Sequence, residues 1–292
     1  MSIARLAAPL LALLLVVTGC SGQHGDHAAP PGPELVVGSK ADPESRLLAS
    51  LYVSALRSYG FPARAETADD PMAKLDSGEF TVVPAFTGQV LHSLQPDDSA
   101  LSDKQVYKAM NAALPEGIAS GDYTTAAEDK PALVVTPATG QAWGGQDLSA
   151  DLTLVQRHCD GLTVGIVKGG HAPAAVGSCK MPRPREFPND TALFAALRSN
   201  ELTAAWTTTA NPGIPGDLVV LADASKNALI RAENVVPLYR RNALTTRQLL
   251  AINEVAGVLD TEALTDLWRK VAGGADPQAV ADGWLGEHPL GR

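Results

Sequence analysis

Between Leu35 and Leu114 the chain repeats one pattern: a short apolar run rich in β-branched residues, a turn of small residues, then apolar positions at helical spacing. Leu35-Val36-Val37-Gly38 reads as a buried strand, and Gly38-Ser39-Lys40 as the turn that follows it. Leu47, Leu48, Leu51, Ala55 and Leu56 then recur on one helical face until Gly60 stops the run. The pattern returns with Phe80 to Phe86 as strand, Thr87 to Leu94 as a helix start, and Asp103 to Leu114 as helix. Further strands are expected at 132–136, 162–167, 202–207, 218–221 and 235–239, with a helix at 190–199 and a helical tail over 246–285. Thr261 with Glu262, and Asp276-Pro277, carry helix-start signals, because a hydroxyl or carboxylate can accept a free backbone N–H and Pro suits the first helical position. Strand, turn and helix in alternation favour an α/β sheet.

A chain of 292 residues with 45% hydrophobic side chains can build one large or two medium domains. Its net charge of −9 argues against a nucleic-acid partner. Ahead of the folded body, Arg5 precedes the apolar run from Leu6 to Val17, the length of a signal-peptide core and short for a membrane span. Val17-Thr18-Gly19-Cys20 resembles the bacterial lipobox, so residues 1–19 are expected to be removed and Cys20 lipidated; the alternative is an ordinary secretory signal. Residues 20–33 lack apolar periodicity and read as a tether, in which His24 and His27 are solvated rather than metal-binding.

Cys159 and Cys179 lie in a chain expected to meet an oxidising compartment, and a disulfide is the default reading. Closing a loop of about twenty residues contributes about 3 kcal/mol in the chain-entropy model and would pin the Gly/Pro-rich stretch over 169–184. The alternative is a reactive thiol, with His158 beside Cys159, but neighbours in sequence rarely face one another. No nucleophile elbow, P-loop, zinc-protease or dinucleotide motif is present. No cofactor, catalytic residue or metal ligand is therefore assigned.

Five segments together carry a family resemblance over about Glu34 to Leu290. They are Val36-Val37-Gly38-Ser39-Lys40 with Glu44 and the helix through Tyr52; Pro84-Ala85-Phe86-Thr87-Gly88; residues 189–209; the two apolar runs over 217–237; and the helix starts at 259–264 and 276–285. Their order and spacing resemble the osmoprotectant-type substrate-binding proteins of ABC importers, the glycine betaine, choline and carnitine group, and in particular ProX-like actinobacterial members.

The resemblance implies a type II periplasmic-binding-protein fold, two lobes joined by a two-strand hinge. The first lobe is expected over 34–130 and 210–292 and the second over 131–209, with crossings near 128–132 and 207–213. It implies a lipid-anchored, extracytoplasmic monomer that captures a small solute, a quaternary amine or a polar or hydroxylated compound, and hands it to permease and ATPase subunits. Alternatives on the same fold are a sensor or scaffold lipoprotein, or an enzyme. By the family pattern the ligand residues are Ser39, Lys40, Phe86, Thr87, Trp206, Thr207 and Asn234, with Lys40 facing a ligand carboxylate, Thr87 donating a hydroxyl, and Phe86 and Trp206 offering ring faces. Core or hinge packing is the competing reading for Phe86 and Trp206, and a solvated turn for Lys40. Arg231-Ala232-Glu233-Asn234 stands where the family has Pro-Pro-Tyr-Asn, so an aromatic is replaced by a charge pair. With four Trp, five Tyr and five Phe in the whole chain, a cage of four rings is not expected.

Overall fold

The computed structural model describes residues 33–144, 151–223 and 227–291. The expected signal peptide, Cys20 and the tether with its histidines lie outside them. In chain order the elements are β1 (Leu35–Ser39), α1 (Pro43–Ser58), β2 (Ala63–Thr67), α2 (Pro71–Ser77), β3 (Val82–Phe86), α3 (Thr87–Leu94), α4 (Asp103–Ala113) and β4 (Ile118–Ser120). Then come β5 (Pro131–Val135), α5 (Pro137–Ala142), a 3-10 turn at Leu152–Arg157, β6 (Val164–Val167), the short β7 (Ala175–Val176) and β8 (Cys179–Lys180), β9 (Arg185–Phe187), α6 (Asp190–Arg198), β10 (Ala204–Thr208) and β11 (Val219–Leu221). The chain closes with β12 (Val235–Arg240), α7 (Thr246–Asn253), α8 (Val255–Val258), α9 (Thr261–Ala272) and α10 (Pro277–Glu287).

Two five-stranded sheets share one topology. The first runs β2-β1-β3-β12-β4 and the second β9-β6-β10-β5-β11. In each, the first three strands are parallel and the fourth position is taken by an antiparallel strand, β12 or β5, that pairs on both sides. That strand is always the first one after the chain arrives from the other sheet, so each sheet is completed by the segment that crosses into it. The result is the expected pair of α/β lobes.

One boundary moves. From the sequence, the return crossing was expected at 207–213 and residues from 210 onward in the first lobe. Instead the chain reverses after Ala210, and Val219–Leu221 adds to the second sheet beside Leu133–Val135. The antiparallel edge left open by β5 accepts a short apolar strand there, and the next strand of the first sheet is β12.

Helix α1 shows how the first lobe is held. The Asp42 carboxylate accepts the Ser45 N–H at 2.8 Å and Pro43 opens the first turn, so the start is capped. Every residue from Leu47 to Leu56 is buried, because α1 lies between the sheet and helices α9 and α10. On the opposite face of the sheet, Phe80, Val83, Leu91, Met110 and Leu238 form a second apolar layer. Gly38 permits Phe80 to close on β1, since a Cβ there would sit 1.9 Å from the ring. In the second lobe, period-two alternation sends Leu133, Val135, Ala204 and Trp206 to one core and Val134 and Ala205 to the other. The start of α9 is capped by Asp260, whose carboxylate accepts Ala263 N–H at 2.8 Å, rather than by Thr261. The Thr261 hydroxyl is used elsewhere: it accepts the Glu128 N–H at 3.0 Å and so fastens α9 to the first crossing.

One of the connections that differ between the lobes follows the second strand of each sheet. In the first, β1 leads into the 16-residue α1. In the second, β6 leads into the β7–β8 hairpin, tied by the Cys159–Cys179 disulfide with Cα atoms 5.5 Å apart. The bridge and the buried Met181 stand in for the apolar helix face that this wall lacks. Replacing both cysteines by Ser is expected to cost about 2–3 kcal/mol of unfolding free energy in urea titration. An unchanged midpoint would show that the hairpin needs no staple.

Candidate ligand-binding site

The two lobes enclose a cleft of about 690 Å³. Its floor is made where three strand segments meet. Asp129 N–H donates to the Glu233 carbonyl at 2.9 Å, and Glu128 and Asn234 form an antiparallel bridge, so the outgoing and returning crossings pair. The end of β10 joins them: Thr209 N–H donates to the Lys130 carbonyl at 2.9 Å, and the Asp129 carboxylate accepts the Ala210 N–H at 2.7 Å. This pairing forms the hinge and sets Asp129 beside Glu233 at the base of the cleft.

Three carboxyl groups face the space: Asp129, Glu233 and, from the first turn of α1, Glu44. Asp129 and Glu233 are each only 5% exposed. Glu233 lies over the N-terminus of α3, where its Oε2 accepts the Gln89 N–H at 2.8 Å. Even with that bond, burial pushes its carboxyl up to about 8, against a smaller downward pull from the Arg231 guanidinium. Burial likewise raises Asp129 to about 6, although the Ala210 N–H holds its ionised form. Burial first, and then the Asp129 charge, raise Glu44 well above the usual carboxylate range. Glu44 Oε1 is buried with no hydrogen-bond partner. The floor is thus a set of carboxyl groups kept partly protonated by their own desolvation.

The walls are less polar. Gly169 to Ala175, ahead of the disulfide-tied hairpin, line the second-lobe side together with Thr208. Gly88, Gln89 and His92 of α3 line the first-lobe side. The His92 and His171 rings meet across the cleft at 5.1 Å. Burial, then the neighbouring His92 and Arg231, lower the His171 imidazole below its usual range. Among the described residues lining the cleft, Trp268 carries the only indole, phenol or phenyl ring.

None of the seven residues expected from the family pattern lines this cleft. Lys40 is an exposed turn lysine. Ser39 faces a separate groove of about 390 Å³ with Arg46, Arg57 and Arg64. Phe86 and Trp206 are core residues of the first and second lobes, the indole only 1% exposed. Thr207 accepts the Asn211 side-chain N–H at 2.8 Å. Thr87 and Asn234 are brought together just beneath the floor: Thr87 Oγ1 accepts the Asn234 N–H at 3.1 Å, and the Asn234 amide donates to the Thr124 carbonyl at 2.9 Å. These bonds anchor the returning crossing on either side of Glu233, which lies between Ala232 and Asn234. The carboxyl floor left one trace in the sequence, the charged Arg231 and Glu233 at the place of an expected aromatic. Asp129, inside Glu128-Asp129-Lys130, looks like an ordinary solvated charge run.

A family model for the substrate-binding domain of the ABC-type glycine betaine transport system matches residues 33–287. No curated protein sequence matches the chain. Among solved structures, a glycine betaine/carnitine/choline ABC transporter protein aligns with a TM-score of 0.69 at 15% identity, over 87% of this chain and 98% of its own. Apo YehZ from Escherichia coli aligns at 0.65 and 17% identity, over 89% and 99%. A choline-binding ABC-transporter protein in complex with choline aligns at 0.56 and 13%, over 88% and 89%. At such identities the structures establish the fold, the type II periplasmic-binding-protein architecture that the paired sheets display. The match over nearly all of the described chain does more: this protein belongs to the family of substrate-binding domains of ABC-type glycine betaine transport systems.

Proposed function

We propose that this substrate-binding protein captures a small organic cation lacking a carboxylate, and delivers it to an osmoprotectant-type ABC importer. The solute-binding role and the permease and ATPase partners follow from the family, which is a binding class and not an enzyme class. The cationic ligand rests on one observation: three carboxyl groups and one indole ring line the cleft. A positive charge arriving there relieves the mutual repulsion and desolvation that keep Glu233 and Asp129 protonated. A ligand carboxylate in the same place would bring no such relief, and the one guanidinium on the lining, Arg231, is already bonded to the Ala100 and Asp98 carbonyls. Closure of the lobes around the paired crossings would then present the loaded state to the permease.

Attachment through lipidated Cys20 completes the reading. Among the described residues no helix is long and apolar enough to cross a membrane, and a lipid anchor would hold the body at the extracytoplasmic surface. Calorimetric titration at pH 8 tests the ligand class. Choline, ethanolamine and 1,4-diaminobutane are expected to include binders, while glycine betaine, carnitine and neutral polyols bind at least tenfold more weakly than the best cation. Tighter binding of betaine or a polyol than of every carboxylate-free cation would overturn the proposal.

A further inference from the structure

We propose that the cleft prefers cations carrying N–H donors, primary or secondary ammonium groups, over fully N-methylated ones. This rests on the cationic reading above and narrows it.

The preference follows from how each kind of cation is held. A quaternary ammonium has a diffuse charge and no hydrogen to donate, and it is bound best by several ring faces around its methyl groups. The described lining offers Trp268 and two imidazoles, His92 and His171, that face each other. A protonated amine is bound by directed bonds to oxygen, at about 2.7–2.9 Å for a charged pair. Such acceptors are what the floor provides.

Counting them sharpens the argument. Asp129 gives one oxygen to the Ala210 N–H and also faces the Thr208 hydroxyl, and Glu233 gives Oε2 to the Gln89 N–H, with the Gly88 N–H beside it. These bonds fix the carboxyl groups in place and leave lone pairs toward the cleft. Glu44 Oε1 is the clearest case, a buried oxygen on a lining residue with no partner at all. A buried acceptor without a donor is unfavourable, and an ammonium N–H supplies the missing bond. A methyl group in the same position would leave the oxygen bare and hold the charge farther off. Each N–H replaced by methyl at a bonded position therefore loses a charge-assisted hydrogen bond, about tenfold or more in affinity.

The test is a methylation series at constant charge: ethanolamine, N-methylethanolamine, N,N-dimethylethanolamine and choline, titrated calorimetrically into the wild-type protein at pH 8. Affinity is expected to fall along the series, with choline at least tenfold weaker than ethanolamine. In Glu44→Gln, ethanolamine is expected to lose about tenfold while choline changes by less than threefold. Choline equal to or tighter than ethanolamine would overturn the N–H preference and leave the cationic reading standing. No binding by any of the four would overturn both.

Discussion

Raising the pH from 5 to 9 is expected to destabilise the ligand-free protein by several kcal/mol, and Glu233→Gln is expected to remove much of that loss. The sign follows from proton counts. Burial lifts the Glu233 carboxyl to about 8 from an ordinary value of 4.5. Between those values the folded state holds a proton that the unfolded chain has released, so unfolding becomes easier as pH rises. The contribution is complete below 4.5 and gone once pH passes 8, a difference of roughly 5 kcal/mol for a shift of this size. Asp129, raised to about 6, adds a loss in the same direction at lower pH, and Glu44, raised first by its own burial, adds another. Several groups facing the cleft temper the slope: Arg231 favours ionised Glu233, Lys130 is already paired with Glu128 at 3.1 Å, and His171, lowered by burial, gains charge only toward acid. Urea titrations of wild type and Glu233→Gln at pH 5, 7 and 9 measure the effect. A glutamine carbonyl can still accept the Gln89 N–H, so the variant keeps the contact and loses only the ionisation. A bound cation should reverse the trend, because it favours ionised carboxyl groups and drives protons into the buffer. Wild-type stability that stays flat from pH 5 to 9, or an identical slope in the variant, would show that Glu233 is not buried against its charge.

The same carboxyl groups show where sequence reasoning stops. Periodicity and caps placed most of the regular elements, because Asp103–Ala113 and Asp190–Arg198 each bury one face and carry it in their spacing, while Val235–Leu238 is a continuous run buried on both faces. Ala63–Thr67 escaped notice: it is an edge strand with four exposed residues, held by pairing to β1 and not by an apolar pattern. The return crossing escaped for a related reason. The run Thr207-Thr208-Thr209 looks like a linker, and only the open edge of β5 explains why the chain turns back to form Val219–Leu221. For the site, the family pattern led to the turns that bound the cleft but not to its lining. Phe86 and Trp206 are apolar and went to the cores, as their burial free energy favours. Asp129 and Glu233 are polar and went inside, which no local signal announces. What buries them is the meeting of segments about eighty and one hundred residues apart, visible in the Asp129 bonds to Ala210 and to the Glu233 carbonyl.

Gly88→Ala should abolish cation binding, with affinity falling at least a hundredfold, while the fold survives with a loss of about 1–3 kcal/mol. Gly88 is the second residue of α3, and a Cβ built there would lie 2.5 Å from the Ala232 carbonyl oxygen and 2.6 Å from Glu233 Oε1. A flexible side chain could rotate away from such a contact, but the carbonyl belongs to the returning crossing. That crossing is fixed on both sides of the clash, by Ala232 N–H bonding to the Leu101 carbonyl at 2.9 Å and by Asn234 N–H bonding to Thr87 Oγ1 at 3.1 Å. Relief therefore requires α3 and the crossing to separate. Separation pulls Glu233 from the Gln89 N–H that orients it and opens the junction between Asp129 and Glu233. Gly283→Ala is the matched control: this exposed glycine inside α10 has nothing within 4 Å of its would-be Cβ, so alanine should leave binding intact and raise stability by about 0.5–1 kcal/mol. Calorimetry with ethanolamine and thermal melts on both variants separate a lost site from a lost fold. If Gly88→Ala binds as wild type does, the close approach of α3 to Glu233 does not set the geometry of the floor, and the ligand must be held by the walls instead.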